Sequence, residues 1–154
     1  MGKLSLRCVG HKAPAWADAA VADYAKRMRR WGGVDEVALK PARFTGDVEA
    51  VRVDEATRLL DGVGPRDALV CLDERGEAPD TEAFAALVRD GMAHGTGLVF
   101  AIGGPYGHGA AVRDRAWRVV RLSSLVLNHQ VARVVLYEQL YRALSITHGG
   151  PYHH

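Results

Sequence analysis

The feature that most constrains this chain is an apolar run with an abrupt stop. Leu98-Val99-Phe100-Ala101-Ile102 carries no polar residue, and Gly103-Gly104-Pro105-Tyr106-Gly107-His108-Gly109 follows at once. Five apolar residues without alternation offer no face to water, so the run reads as a strand covered on both sides. The glycines then say that the backbone just past this strand turns with positive φ or approaches something closely. The loop is not the G-x-G-x-x-G of dinucleotide sites, and no GxxxxGK[ST] phosphate loop occurs anywhere.

The chain before this run alternates between the two regular periods. Lys3–Val9 alternates as a first strand, and Pro14 opens an amphipathic helix through Trp16, Ala20, Tyr24 and Met28. That helix ends in Lys26-Arg27-Met28-Arg29-Arg30, where cations complement the helix dipole or contact RNA. Val34–Leu39 is a second strand, Lys40–Asp47 a loop, and Val48–Leu60 a helix broken by Gly62-Val63-Gly64-Pro65. Asp67–Leu72 is a third strand, central and parallel, after which Asp73-Glu74-Arg75-Gly76 turns away. Asp80 or Thr81 caps a helix that reaches about His94. Strands and helices in this order predict an α/β fold with a mostly parallel sheet and helices on both faces. Ligands of such sheets bind at the carboxyl ends of the strands, here Leu72-Asp73 and Gly103-Gly104.

A short helical segment follows the glycine loop, and then comes Arg121-Leu122-Ser123-Ser124-Leu125-Val126-Leu127-Asn128-His129. The middle of that segment is too apolar for an exposed connection and too short for a good strand or helix. A buried loop needs partners for its backbone polar groups, and a folded ligand with donors and acceptors supplies them. Leu72, Leu122, Leu125 and Leu127 are the expected apolar walls. A long helix from Gln130 to Ala143 completes the site. Its stripe of Val131, Val134, Val135 and Leu140 is core or subunit interface.

Charge sharpens the picture. Residues 1–112 hold 14 Lys and Arg against 16 Asp and Glu, whereas residues 113–154 hold six arginines against Asp114 and Glu138. The basic third is the third that carries the glycine loop, which favours an anionic partner such as RNA. No apolar run approaches the roughly 20 residues of a membrane span, and the start lacks a signal-peptide core, so a cytoplasmic protein is expected. Cys8 and Cys71 each sit inside apolar runs and read as buried thiols; without Cys/His ligand spacing, no metal site is expected.

Several blocks together resemble one family. Ile102-Gly103-Gly104-Pro105, the Leu-Ser-x-Leu loop, His129-x-x-x-Arg133-Val134, Glu138-Gln139-Leu140-Tyr141-Arg142-Ala143 and the Pro151-Tyr152-His153 ending are similar to the RlmH family. These are SPOUT-class methyltransferases of the large ribosomal subunit, and the likeness covers the whole chain. It implies one domain over residues 1–154, with the C-terminal part threaded into a deep trefoil knot. It also implies S-adenosyl-L-methionine bound bent in the knot by Leu72, Gly103, Gly104 and Leu122, Ser123, Ser124, Leu125, Val126 and Leu127. The resemblance further implies a homodimer that methylates N3 of a pseudouridine in the helix 69 loop of 23S rRNA on assembled ribosomes. His129, Arg133, Arg142, Tyr152 and His153 are the expected acceptor-site residues, and a neutral histidine could accept the N3 proton. Three positions depart from the family pattern: Tyr106 replaces a common Glu, Asn128 a Pro, and His154 the usual Lys, Arg or Asn. Two rivals stand beside this expectation. One is a SPOUT enzyme acting on another RNA, such as a tRNA ribose 2′-hydroxyl; the other is a non-catalytic RNA-binding dimer.

Overall fold

The computed structural model describes residues 2–10 and 12–153, so His154 lies outside the described residues. Five strands form one parallel sheet in the order β2-β1-β4-β3-β5. They are β1 (Lys3–Val9), β2 (Val34–Leu39), β3 (Ala68–Glu77), β4 (Gly97–Ile102) and β5 (Arg118–Val120). Five helices cover them: α1 (Ala15–Met28), α2 (Val48–Leu60), α3 (Thr81–His94), α4 (Ala110–Arg115) and α5 (His129–Thr147). A single 3₁₀ turn, Arg29–Trp31, follows α1.

β4 takes the middle of the sheet, and every one of its residues is buried, as its unbroken apolar run requires. Parallel register sets Leu6, Phe100 and Val70 side by side across β1, β4 and β3, all fully buried. This row packs against Val21 and Met28 of α1, Phe84 and Val88 of α3, and Leu136 and Leu140 of α5. The opposite face of the sheet, with Val9, Cys71 and Ala101, packs on Ala56 and Leu59 of α2 and Val112 of α4. Arg7 points to this second face with two of its donors satisfied. Its Nε donates to the Leu59 carbonyl at 2.8 Å and Nη2 to the Arg58 carbonyl at 3.2 Å, satisfying orphan acceptors at the end of α2. Burial pushes the Cys8 thiol up to about 11 and Cys71 to about 12. Both stay protonated thiols at neutral pH, as free core cysteines do.

The third strand departs from expectation. Asp73-Glu74-Arg75-Gly76 does not leave the sheet; β3 continues to Glu77 through a bulge, with Leu72 and Glu77 both registered on Val120. Gly76 is what permits this, because a Cβ there would stand 2.5 Å from the Val120 nitrogen. β5 itself has no signature in the sequence. Its three residues become a strand because Trp117 donates to the Leu69 carbonyl at 2.8 Å and Arg121 to that of Glu77 at 2.8 Å. α5 is longer than its pattern predicts. It opens at His129 because the Asn128 side chain accepts from the Gln130 amide at 2.8 Å, an N-cap that proline could not supply. Among the described residues, no helix is long and apolar enough to cross a membrane.

Candidate functional site

A cavity of about 630 Å³ opens at the carboxyl ends of β3, β4 and β5, which is the size of a cofactor pocket. The glycine loop forms one wall, the 120–127 segment another, and the first turn of α5 the floor, with His129 and Ala132. Leu72, Gly103, Gly104, Leu122, Ser123, Leu125, Val126 and Leu127 all border it, as expected from the sequence. Ser124 does not border it.

The walls differ from expectation in one respect. Leu125 and Val126 are 74% and 85% exposed, so they form the lip of the cavity rather than a buried wall. The loop needs no ligand to satisfy the Leu125 amide, which donates to Ser123 Oγ at 2.9 Å. These two side chains leave an apolar edge at the opening.

The glycine loop is built for close approach. Gly107 has φ +81°, and its amide closes a turn onto the Gly104 carbonyl at 3.0 Å. A Cβ on Gly104 would fall 2.7 Å from Oε1 of the buried Glu55, and one on Gly103 would fall 3.1 Å from His108 Nδ1. Glu55 fixes the neighbouring loop by accepting from the Ala42 amide at 2.9 Å.

Among the lining residues, His108 and Arg121 escaped the sequence reading, whereas Asp73 lines the cavity at the strand end where it was expected. His108 is buried; its Nε2 lies 3.1 Å from the Ala101 carbonyl, and Nδ1 has no partner among the described residues. Donation to the Ala101 carbonyl requires Nε2–H, which leaves Nδ1 an acceptor packed against Gly103. Burial holds this imidazole below its ordinary value, so it is neutral at physiological pH. Arg121 borders the cavity with an unpartnered Nε, and Asp73 lies 3.6 Å from Arg113 at its edge. A histidine in a glycine loop and a charge at a strand end were the available signals. Neither has a period that marks it.

The five expected acceptor-site residues do not converge within one chain. His129 is at the cavity. Arg133, one turn on, turns away toward α1 and β2. Its Nε and Nη2 bind Glu36 at 2.6 and 2.7 Å, and Nη1 binds Asp18 at 3.0 Å. This guanidinium is a buried clamp, its charge held more firmly than an ordinary arginine's by the Glu36 carboxylate. Arg142, Tyr152 and His153 gather at the other end of α5, roughly 20 Å from His129 at 1.5 Å per residue. Arg142 pairs with Glu138 Oε1 at 2.6 Å, lies over the Tyr152 ring at 4.8 Å, and donates to His153 Nδ1 at 3.0 Å. A guanidinium can only donate, so His153 carries its proton on Nε2 in this arrangement. The Tyr152 hydroxyl donates to Glu138 Oε1 at 3.3 Å, and burial with the neighbouring Tyr24 and Glu138 raises its pKa to about 12.

A parallel α/β sheet with a cofactor-sized cavity at its strand ends, walled by a glycine loop and an apolar loop, defines a small-molecule-binding α/β protein. Comparison narrows that class. A family model described as "Predicted SPOUT methyltransferase" matches residues 2–153. Ribosomal RNA large subunit methyltransferase H of Laribacter hongkongensis is 40% identical over 153 residues, 98% of each chain. The protein of the same name from Neisseria gonorrhoeae is 40% identical over 97% of each chain, and that from Solidesulfovibrio magneticus 41% over all of both. The chain belongs to the SPOUT methyltransferase family, whose membership implies a trefoil knot in its C-terminal part.

Proposed function

We propose that this protein transfers a methyl group from S-adenosyl-L-methionine to N3 of a pseudouridine in the helix 69 loop of 23S rRNA, on assembled ribosomes. The supporting observation is the cavity at the strand ends, bordered by both loops that the family uses for its cofactor, with His129 at its floor. The residues fit that cofactor. Gly103 and Gly104 let His108 and Glu55 pack directly against the loop backbone, which holds the loop in place as a wall of the cavity. Leu72, Leu122 and Leu127 supply apolar contact for an adenine face, and backbone groups of 122–127 its polar edge. Bound there, the cofactor supplies an already activated methyl on a sulfonium, so no metal is required.

What remains is alignment and one proton. Holding the acceptor nitrogen in line contributes several kcal/mol, and a placed base typically ~10²–10⁴-fold in rate. His129, at the cavity floor, is the group assigned to take the N3 proton. Arg133 acts as a positioning residue, fastening the first turns of α5 to β2 and α1 so that His129 faces the cavity. The Arg142–Tyr152–His153 cluster supplies acceptor contacts: a ring to stack on a splayed base and a guanidinium for developing negative charge. Lying roughly 20 Å from His129 along its own helix, this cluster serves the cavity of a second copy. The exposed Leu125 and Val126 at the opening support an isologous homodimer that covers them.

The test is transfer of labelled methyl to assembled ribosomes, protein-stripped rRNA and bulk tRNA from a strain lacking the homologous enzyme. Label on assembled ribosomes alone is the expected result. Label on tRNA would move the acceptor to another RNA, and cofactor binding without label anywhere would leave a non-catalytic RNA-binding dimer.

A further inference from the structure

The far end of α5 carries more than the acceptor cluster needs. Four rings run in unbroken contact: Tyr152 meets Tyr141 edge-on at 4.6 Å, Tyr141 lies 5.8 Å from Trp31, and Trp31 stacks on His148 at 5.2 Å and 10°. Three guanidiniums lie over them: Arg142 over Tyr152, Arg27 at 5.7 Å over Tyr141, and Arg30 at 4.3 Å over Trp31. The sequence places these residues in three separate stretches. The fold joins them because α1 and α5 both run to the amino end of the sheet and end together.

The charges along this row are unequally answered. Arg142 is paired with Glu138 and Arg27 with Asp23. Lys26, Arg29 and Arg30 have no carboxylate partner among the described residues, and all three are exposed. Completing the helix dipole accounts for cations in the last turn of α1, but not for an indole and an imidazole stacked beside them. A guanidinium lying flat on a ring keeps its N–H edge free for phosphate oxygens. His148, exposed and parallel to Trp31, presents an outer face of the right kind for a nucleobase. Alternating cations and aromatic faces are the recognition chemistry of single-stranded nucleic acid.

We infer that Lys26, Arg29, Arg30, Trp31 and His148 form a binding surface for single-stranded RNA, continuous through Tyr141 with the Tyr152 acceptor cluster. It holds the nucleotides that flank the base to be methylated: phosphates on the three cations, one base on His148. This rests on the reading that the protein acts on RNA, and it extends the contact surface beyond the residues that meet the acceptor base.

The experiment measures binding of the full chain to assembled ribosomes and to a labelled single-stranded RNA of about ten nucleotides, the span such surfaces cover. Each phosphate contact on a single strand contributes about 0.7 to the slope of log affinity against log salt. R29A/R30A is expected to lower that slope by about 1.4, so wild-type affinity falls about seven-fold more than the variant's between about 0.05 and 0.2 M salt. R29K/R30K should keep the wild-type slope, since charge rather than shape is at issue. His148→Ala should weaken binding about five-fold or more, the loss of one stacked base, and His148→Phe should restore it. Affinity for S-adenosyl-L-methionine should be unchanged in all four variants. An unaltered slope in R29A/R30A, with wild-type RNA binding intact, overturns the surface while leaving the RNA reading in place. Absence of RNA binding by the wild-type chain on both probes overturns both.

Discussion

Replacing Arg133 by methionine separates a structural clamp from a group that touches substrate. The guanidinium is 10% exposed and makes two short bonds to Glu36, itself 23% exposed. Methionine keeps the apolar stem but leaves the Glu36 carboxylate half-buried without its counter-charge, beside the fully buried Tyr137. Breaking one side of such a pair costs about 3–5 kcal/mol. For a chain of this size each kcal/mol moves Tm by about 2–4 °C, so a fall of about 6–20 °C is expected by circular dichroism. Asp18 is 57% exposed, and its share of the clamp is small; Asp18→Asn should cost under about 1 kcal/mol. The decisive arm is the pair. Glu36→Leu together with Arg133→Met removes both charges, and most of the lost stability should return. A Tm within about 2 °C of wild type for Arg133→Met, with methyl transfer abolished, would refute the clamp and return Arg133 to direct contact with the acceptor.

Two further outcomes follow from the geometry. A chain ending before Tyr152 should lose methyl transfer while its affinity for S-adenosyl-L-methionine, read by calorimetry, stays within a few-fold; collapse of cofactor binding would show that the tail belongs to the cavity. His108 is neutral in the folded chain because burial lowers its pKa, whereas the unfolded chain takes up a proton near the usual ~6.5. Its stabilising share is therefore complete above about pH 6.5 and is lost as pH falls through the lower folded value. Thermal melts across this range should show a shallower acid-side decline in His108→Leu than in wild type, and parallel curves would remove His108 as the cause.

Much of the site was legible because its signals are local. An apolar run that stops at glycines marks a covered strand and a close-approach loop wherever the rest of the chain lies. Leu72, Gly103, Gly104 and the residues around Leu122 to Leu127 came to one cavity as the α/β pattern implies. Ser124 turned out, and Leu125 and Val126 lie in solvent, because hydrophobicity alone does not say whether a loop is covered by its own chain or by another. The strand β5 was invisible, since three residues become a strand only by the partners they find on β3.

The amino-acid sequence by itself determined the alternation of strands and helices, the parallel sheet, the place of the glycine loop and the basic character of the last third. Each of these depends on residues near one another along the chain. Tertiary structure alone decided which charges and rings meet. Arg133 found carboxylates 97 and 115 residues away, and Trp31 found His148 across two helix ends. The same folding set His129 in the first turn of α5 and Arg142 near its far end, with Tyr152 packed back on Arg142 from the tail. A helix carries its residues 1.5 Å apart along a fixed axis, so the separation of His129 from Arg142 is rigid.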